Sequence, residues 1–152
     1  MFPNNLSSSM NVRVLGTGSQ VVALAHGFGC TQSLWDSTLP SLLTFNGGSL
    51  KLILWDWPGS SSTQCDDNNN NNNHNTINGT RPTTCGHNGG DEDIDVFHGF
   101  AEILVRLLDE LVVSSCIFVG HSMSAMIGCL AALSHPHRFS KLVLICASPR
   151  SI

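Results

Sequence analysis

Charge is scarce in this chain of 152 residues: Asp, Glu, Lys and Arg together make up 12%, about half of what is usual in a globular domain. Basic residues are the scarcer sign, with 7 Lys plus Arg against 11 Asp plus Glu and a net charge of -4. The clustered positive footprint of a nucleic-acid-binding domain is therefore absent, and no nucleic-acid partner is expected. No apolar run approaches the roughly 20 residues that cross a bilayer, so no membrane partner is expected either. The opening MFPNNLSSSM lacks a basic n-region and an apolar h-region. No secretory leader is expected, and a pI near 5.9 suits a cytoplasmic protein of small-molecule chemistry. The 6 cysteines contain no CxxC pair, which leaves a zinc site without support from spacing. In the compartment this implies they stay reduced. Cys116, Cys129 and Cys146 lie in apolar runs and are expected to pack as small buried hydrophobes; Cys65 and Cys85 flank a polar tract and are expected to be exposed thiols.

What is present is a core. Hydrophobic residues are 41% of the chain, and the length fits one domain. Val21–Ala25, Leu50–Trp55, Cys116–Val119 and Lys141–Cys146 are continuous apolar runs of the kind that form parallel strands covered on both faces. Asn11–Leu15 alternates before GTGS and predicts a half-exposed edge strand. Phe97, Phe100, Ala101, Leu104, Leu107, Leu108 and Leu111 recur at helical spacing, with Glu102, Arg106, Asp109 and Glu110 off the stripe. Asp95 is the expected N-cap of that helix. A second helix is expected after Ser122, with Met126, Ile127, Leu130 and Leu133 inward and Pro136 just past its end. A weaker one covers Ser33–Leu43, interrupted by Pro40. Strands alternating with helices predict the α/β class: a mostly parallel sheet with helices on both faces. From about residue 60 to 93 the composition turns to Ser, Thr, Asn, Asp and Gly, with Asn68–Asn73 an unbroken run. Such a stretch cannot offset its ordering entropy and predicts a disordered surface insertion. His74 and His87 within it have no structured partners to make a metal site, and no metal or organic cofactor is expected.

The sharpest chemical signal is Gly120-His121-Ser122-Met123-Ser124. It follows a predicted strand and opens a predicted helix, which is the setting of a nucleophile elbow. A tight, strained turn there lifts the serine hydroxyl above the sheet edge, next to the N–H groups of a helix N-terminus. Residues two before and two after the serine must be small, because strand and helix backbones approach closely. Gly120 satisfies that need, and Ser124 stands where the common GxSxG pattern has glycine. A second signal, His26-Gly27-Phe28-Gly29, follows the strand Val21–Ala25. It matches the loop that gives α/β-hydrolases one oxyanion-hole N–H. Ser122 is the candidate nucleophile; the backbone N–H groups of Phe28 and Met123 are the candidate oxyanion donors. His121 neighbours the serine, but its side chain is expected to point away from Oγ, and His135 and His137 bracket Pro136 at a helix end. Asp56, after a predicted strand, is expected to fix the DWPGS loop, since hydrolases of this type place their acid after the serine. An N-capping serine on an ordinary turn would explain Ser122 but not the HGFG loop as well.

With HGFG, GHSMSAMIG and KLVLICASPR in hand, the chain resembles the strigolactone-receptor and karrikin-receptor-like α/β-hydrolases of plants, in particular their dwarf-like branch. The resemblance covers Met10–Trp57 and Phe97–Arg150 and fails across Ser60–Asp93, where an insertion is implied. It makes the second serine of GHSMS the family's own variation. It implies a four-helix lid over an apolar pocket, a Ser-Asp-His triad acting on butenolide-type lactones or esters, and F-box and repressor proteins as partners in signalling. A small apolar lactone or ester is the implied ligand, in the cytoplasm or the nucleus.

One further absence bears on that reading. After Ser122 the chain has no Asp or Glu, and its only later histidines are His135 and His137. The triad's acid and base, the lid and the later strands are therefore expected beyond Ile152. The fold expected for residues 1–152 is an incomplete α/β-hydrolase core with impaired catalysis, and its last run, KLVLIC, is expected to be an unpaired edge prone to aggregation. Two other readings stay open: a non-catalytic ligand-binding or signalling protein of the same fold, and an inactive fragment.

Overall fold

The computed structural model describes residues 5–60 and 92–147. In chain order they form α1 (Leu6–Ser9), β1 (Arg13–Leu15), β2 (Gln20–Ala25), α2 (Leu39–Thr44), β3 (Leu50–Leu54), α3 (Glu92–Glu110), β4 (Cys116–His121), α4 (Met123–Ser134) and β5 (Phe139–Ile145). The strands make one sheet in the order β1-β3-β2-β4-β5. Only β1, at one edge, runs antiparallel to its neighbour β3; the other pairs are parallel. The α/β class expected from the sequence is thus observed. The Asn-rich tract, His74, His87, Cys65 and Cys85 lie outside the described residues.

Alternation along β2 and β3 builds two apolar layers. Ala23, Ala25, Ile53 and Trp55 face the layer of Leu104, Leu107, Leu108, Phe118 and Ile127, beneath α3 and α4. Val22, Leu24, Leu52 and Leu54 face Trp35 and Leu39, on the α2 side. From β2 the chain goes to β3 on one side and then to β4 on the other. The C-terminal ends of β2 and β4 therefore lie side by side where the strand order reverses, the usual ligand position in an open parallel sheet.

Several local expectations are corrected. α3 is already helical at Glu92, so Asp95 lies inside its first turn and does not cap it. Pro40 does not interrupt a helix. A 3-10 turn at Gln32–Trp35 ends first, and α2 then begins at Leu39 with Pro40 in its opening turn, where the missing N–H has no intrahelical partner to lose. On α4 the buried residues are Ser124, Ala125, Ile127, Gly128 and Ala131, while Leu133 is 80% exposed. Ile127 is inward as expected and Leu130 packs against the core, but the centre of the buried face lies about 140° round the helix from the expected stripe, given 100° per residue. The reason is close approach: a Cβ on Gly128 would stand 2.4 Å from the Phe118 ring, so small residues face the sheet. Among the described residues β5 pairs with β4 alone, and Val143, Leu144 and Ile145 are exposed, so β5 is an edge of this sheet. Cys146, just past it, is exposed and not buried as expected. Cys116 is buried, and burial pushes its thiol up to about 11. No disulfide links the described cysteines.

The end of α3 also secures the N-terminal segment. The Glu110 carboxylate accepts from the Leu6 N–H at 2.8 Å and the Ser7 N–H at 3.0 Å, and from the Ser7 hydroxyl. The Ser7 hydroxyl and then its N–H hold the carboxyl below its ordinary value of 4.5. A lowered carboxyl stabilises the fold above its unfolded value and ceases to do so as pH falls through the folded one. Exposure keeps this contribution small. The Leu6 and Ser7 amide resonances should therefore titrate with a midpoint below 4.5 and stop doing so in Glu110→Gln. A midpoint at or above that value would contradict the contact.

Candidate functional site

β2 and β4 lie side by side in parallel, with Ala25 opposite Gly120, so the loops that follow them must emerge together. At the end of β4, Ser122 has φ 54 and ψ -116, a conformation L-residues seldom adopt. The residue is exposed. The turn is held on both sides: the Ser122 N–H donates to the Ile145 carbonyl at 2.8 Å, and the Ser122 carbonyl accepts from the Ala125 N–H at 2.9 Å. Gly120 makes room for it. A Cβ there would stand 2.6 Å from the Ser124 carbonyl oxygen and 2.8 Å from the Ala125 nitrogen, both backbone atoms of α4. Met123 is the first residue of that helix, and its N–H is among those with no acceptor inside the helix.

The HGFG loop presses against this turn. A Cβ on Gly27 would lie 3.0 Å from the Ser122 Cβ and 2.8 Å from His121 Nδ1, so only glycine lets the two loops touch. Phe28 follows, 86% exposed. Gly29 takes φ 71, and the Cys30 N–H donates back to the Gly27 carbonyl at 3.2 Å. The structure thus brings Ser122, Met123 and the Gly27-Phe28 segment to one place at the sheet's C-terminal edge.

His26, before that segment, is buried at 2% exposure. Its Nε2 accepts from the Trp57 N–H at 3.1 Å. A nitrogen that accepts carries no proton, so the proton is on Nδ1, which donates to the Gly27 carbonyl at 2.8 Å. Asp56 Oδ1 stands 3.7 Å from Nε2, too far for a hydrogen bond, and the neutral tautomer makes no ion pair with it. Asp56 is instead a hub. Its carboxylate accepts from the Gln32 N–H at 2.7 Å, Gln32 Nε2 at 3.0 Å and Asn11 Nδ2 at 3.0 Å. Tying neighbouring loops is the role expected for it from the sequence.

None of His26, His121, His135 and His137 answers the description of a base for Ser122. His26 has both nitrogens occupied. His121 Nδ1 is buried beside Gly27 without a hydrogen bond. His135 and His137 follow α4, whose 12 residues span about 18 Å at 1.5 Å per residue, so they stand at its far end. Among the described residues no three His, Cys, Asp or Glu side chains cluster as metal ligands.

Sequence reading missed the work of Ser124, treating it only as small enough. It is wholly buried. Its hydroxyl accepts from Trp57 Nε1 at 2.8 Å and donates to the His26 carbonyl at 2.5 Å. The available signal was a polar residue at a position that needs only smallness, in a chain whose buried tryptophans need acceptors for their indole N–H.

A family model described as the alpha/beta hydrolase fold matches residues 20–152. The chain is 36% identical over 140 residues to a karrikin insensitive 2 receptor of Petunia hybrida, a match covering 92% of this chain and 43% of the receptor. It is 34% identical over 150 residues to a strigolactone esterase of Arabidopsis thaliana, covering 99% of this chain and 47% of the esterase. Among solved structures, a hydrolase from Oleispira antarctica aligns with a TM-score of 0.71 at 25% identity, over 95% of this chain and 44% of that one. The chain spans less than half the length of each of these relatives.

Proposed function

This chain belongs to the alpha/beta hydrolase fold family, and from that premise we propose that it carries the nucleophile and oxyanion donors of a serine hydrolase acting on small apolar esters or lactones, of the kind handled by strigolactone and karrikin receptor-hydrolases. The observation that supports this most is Ser122, exposed at φ 54, with the glycine of HGFG packed against its Cβ. In this reading Ser122 Oγ attacks the carbonyl carbon of the ester. The C–O bond forms as the carbonyl π electrons move to oxygen, and the oxyanion is held by the N–H groups of Phe28 and Met123. Collapse expels the alkoxide, which takes up the proton removed from Ser122 and in a lactone stays tethered, and water then cleaves the acyl-serine to a carboxylic acid and free serine. One well-placed oxyanion donor is worth about 3 kcal/mol of barrier.

Proton removal from Ser122 needs a base within hydrogen-bond reach and an orienting partner for it. This reading draws both from outside the described residues. F-box and repressor proteins, as partners of a receptor, belong to the same proposal. A second reading is ligand binding without turnover. A fluorophosphonate probe separates the two. The hydrolase reading expects an adduct that peptide mapping places on Ser122. An adduct on another residue, or none with the fold intact, overturns it. Ligand binding undisturbed by Ser122→Ala would then establish the second.

A further inference from the structure

We propose that Ser124 is a positioning residue: its hydroxyl clamps the first turn of α4 to the backbone of the HGFG loop and so sets the spacing between the Met123 and Phe28 amides. The inference rests on the reading of those amides as the oxyanion donors. A hydroxyl has one proton to give and lone pairs to accept with, and here both capacities are used. The proton goes to the His26 carbonyl, and the oxygen takes the Trp57 indole N–H. Ser124 directly follows Met123, and the His26 carbonyl belongs to the peptide that leads into Gly27 and Phe28. One side-chain oxygen therefore links the two halves of the donor pair.

Smallness alone does not call for this group. The approach of Gly120 to the Ser124 carbonyl involves backbone only, and glycine or alanine at position 124 would permit it equally. What the hydroxyl adds is a third point of attachment for His26, whose ring is already held by the Trp57 N–H and the Gly27 carbonyl. With ring and carbonyl both fixed, the peptide entering Phe28 has little freedom to rotate. Trp57 is held in turn: its indole N–H is bonded, whereas among the described residues those of Trp35 and Trp55 have no partner.

The test compares Ser124→Ala and Ser124→Gly with the parent chain. The Trp57 indole N–H resonance should move and exchange about tenfold faster, the size expected for one lost hydrogen bond. The Phe28 amide should exchange faster by a similar factor, while the core amides of Leu52 and Ile53 hold their rates. In the fluorophosphonate assay, the maximal labelling rate should fall about tenfold to a hundredfold, as for a small misplacement at a reacting centre, with the half-saturating probe concentration unchanged. Ser124→Thr, which keeps the hydroxyl, should recover most of the labelling rate and the slow Phe28 exchange. Unchanged Phe28 exchange in both hydroxyl-free variants overturns the proposal. So does loss of protection throughout the core in both, since the hydroxyl would then hold the whole fold. If the parent chain takes no label, the nucleophile reading fails by itself, and the exchange measurements still decide whether the clamp exists.

Discussion

Exchanging Ser122 for glycine is expected to abolish fluorophosphonate labelling and, in the same molecule, to stabilise the fold by about 1 kcal/mol. The loss of labelling needs only the missing hydroxyl. The gain follows from backbone strain. Ser122 sits at φ 54 and ψ -116, where a side chain costs on the order of 1–3 kcal/mol and glycine costs nothing sterically. Glycine's greater freedom in the unfolded chain returns about 0.5–1 kcal/mol of that. The native turn persists because Ile145 and Ala125 hold it through the Ser122 N–H and carbonyl, bonds that glycine keeps. Alanine supplies the control: Ser122→Ala retains the Cβ, so it should lose the label without becoming more stable. In thermal melts the glycine variant should exceed the alanine variant by about 2–4 °C. Equal melting temperatures would mean that the turn is unstrained and that the serine is not held against its own preference.

That strain was legible in the sequence together with its site, since a serine between strand and helix at an elbow sits on a strained turn. GHSMS between an apolar run and a helical pattern located the turn, because strand periodicity and helix periodicity meet there. The parallel core was legible for a similar reason: Val21–Ala25 and Leu50–Leu54 are apolar on both faces only if both faces are covered. The orientation of α4 was not. That helix is apolar around most of its circumference, so periodicity had little to select, and the close approach of Gly128 to Phe118 decided which side faces the sheet. Cys146 was misread because an apolar run says that a residue can be buried, while its neighbours in space decide whether it is. β5 has a strand on one side alone among the described residues. The hydrogen bonds of Ser124, His26 and Trp57 join residues far apart in the chain, and no local pattern encodes such a meeting. Asp56 was placed by exclusion from the triad, and its partners, Gln32 and Asn11, came only from the structure.

Those partners make Asp56→Ala the substitution with the largest expected cost to stability, about 3–5 kcal/mol, comparable to breaking a buried ionic contact. The residue is 1% exposed. Oδ1 accepts from the Gln32 N–H; Oδ2 accepts from Gln32 Nε2 and Asn11 Nδ2. Alanine would strand the two Gln32 donors away from water, at about 1–3 kcal/mol for each one left unmet, while the Asn11 amide lies on an exposed residue. Part of that would be relieved, since Gln32 Nε2 also reaches the Asn11 carbonyl at 2.7 Å. Asparagine is nearly isosteric but cannot substitute. Both carboxylate oxygens serve as acceptors, and an amide would turn an NH2 group toward a donor on one side or the other. Asp56→Asn should therefore recover less than half of the loss. Against a total stability of about 5–15 kcal/mol for an ordinary domain, the alanine variant should be visibly depleted of folded chain in a urea titration at neutral pH. The consequence reaches the candidate site because the contacts are consecutive. Asp56 holds Gln32, which follows the HGFG loop, and its neighbour Trp57 donates to His26 from the backbone and to Ser124 from the indole. Loosening Asp56 should thus raise Phe28 amide exchange even at urea concentrations where the sheet remains intact. An Asp56→Asn chain as stable as the parent would show that the carboxylate's charge and its two acceptor oxygens are dispensable, and that these loops are held by packing alone.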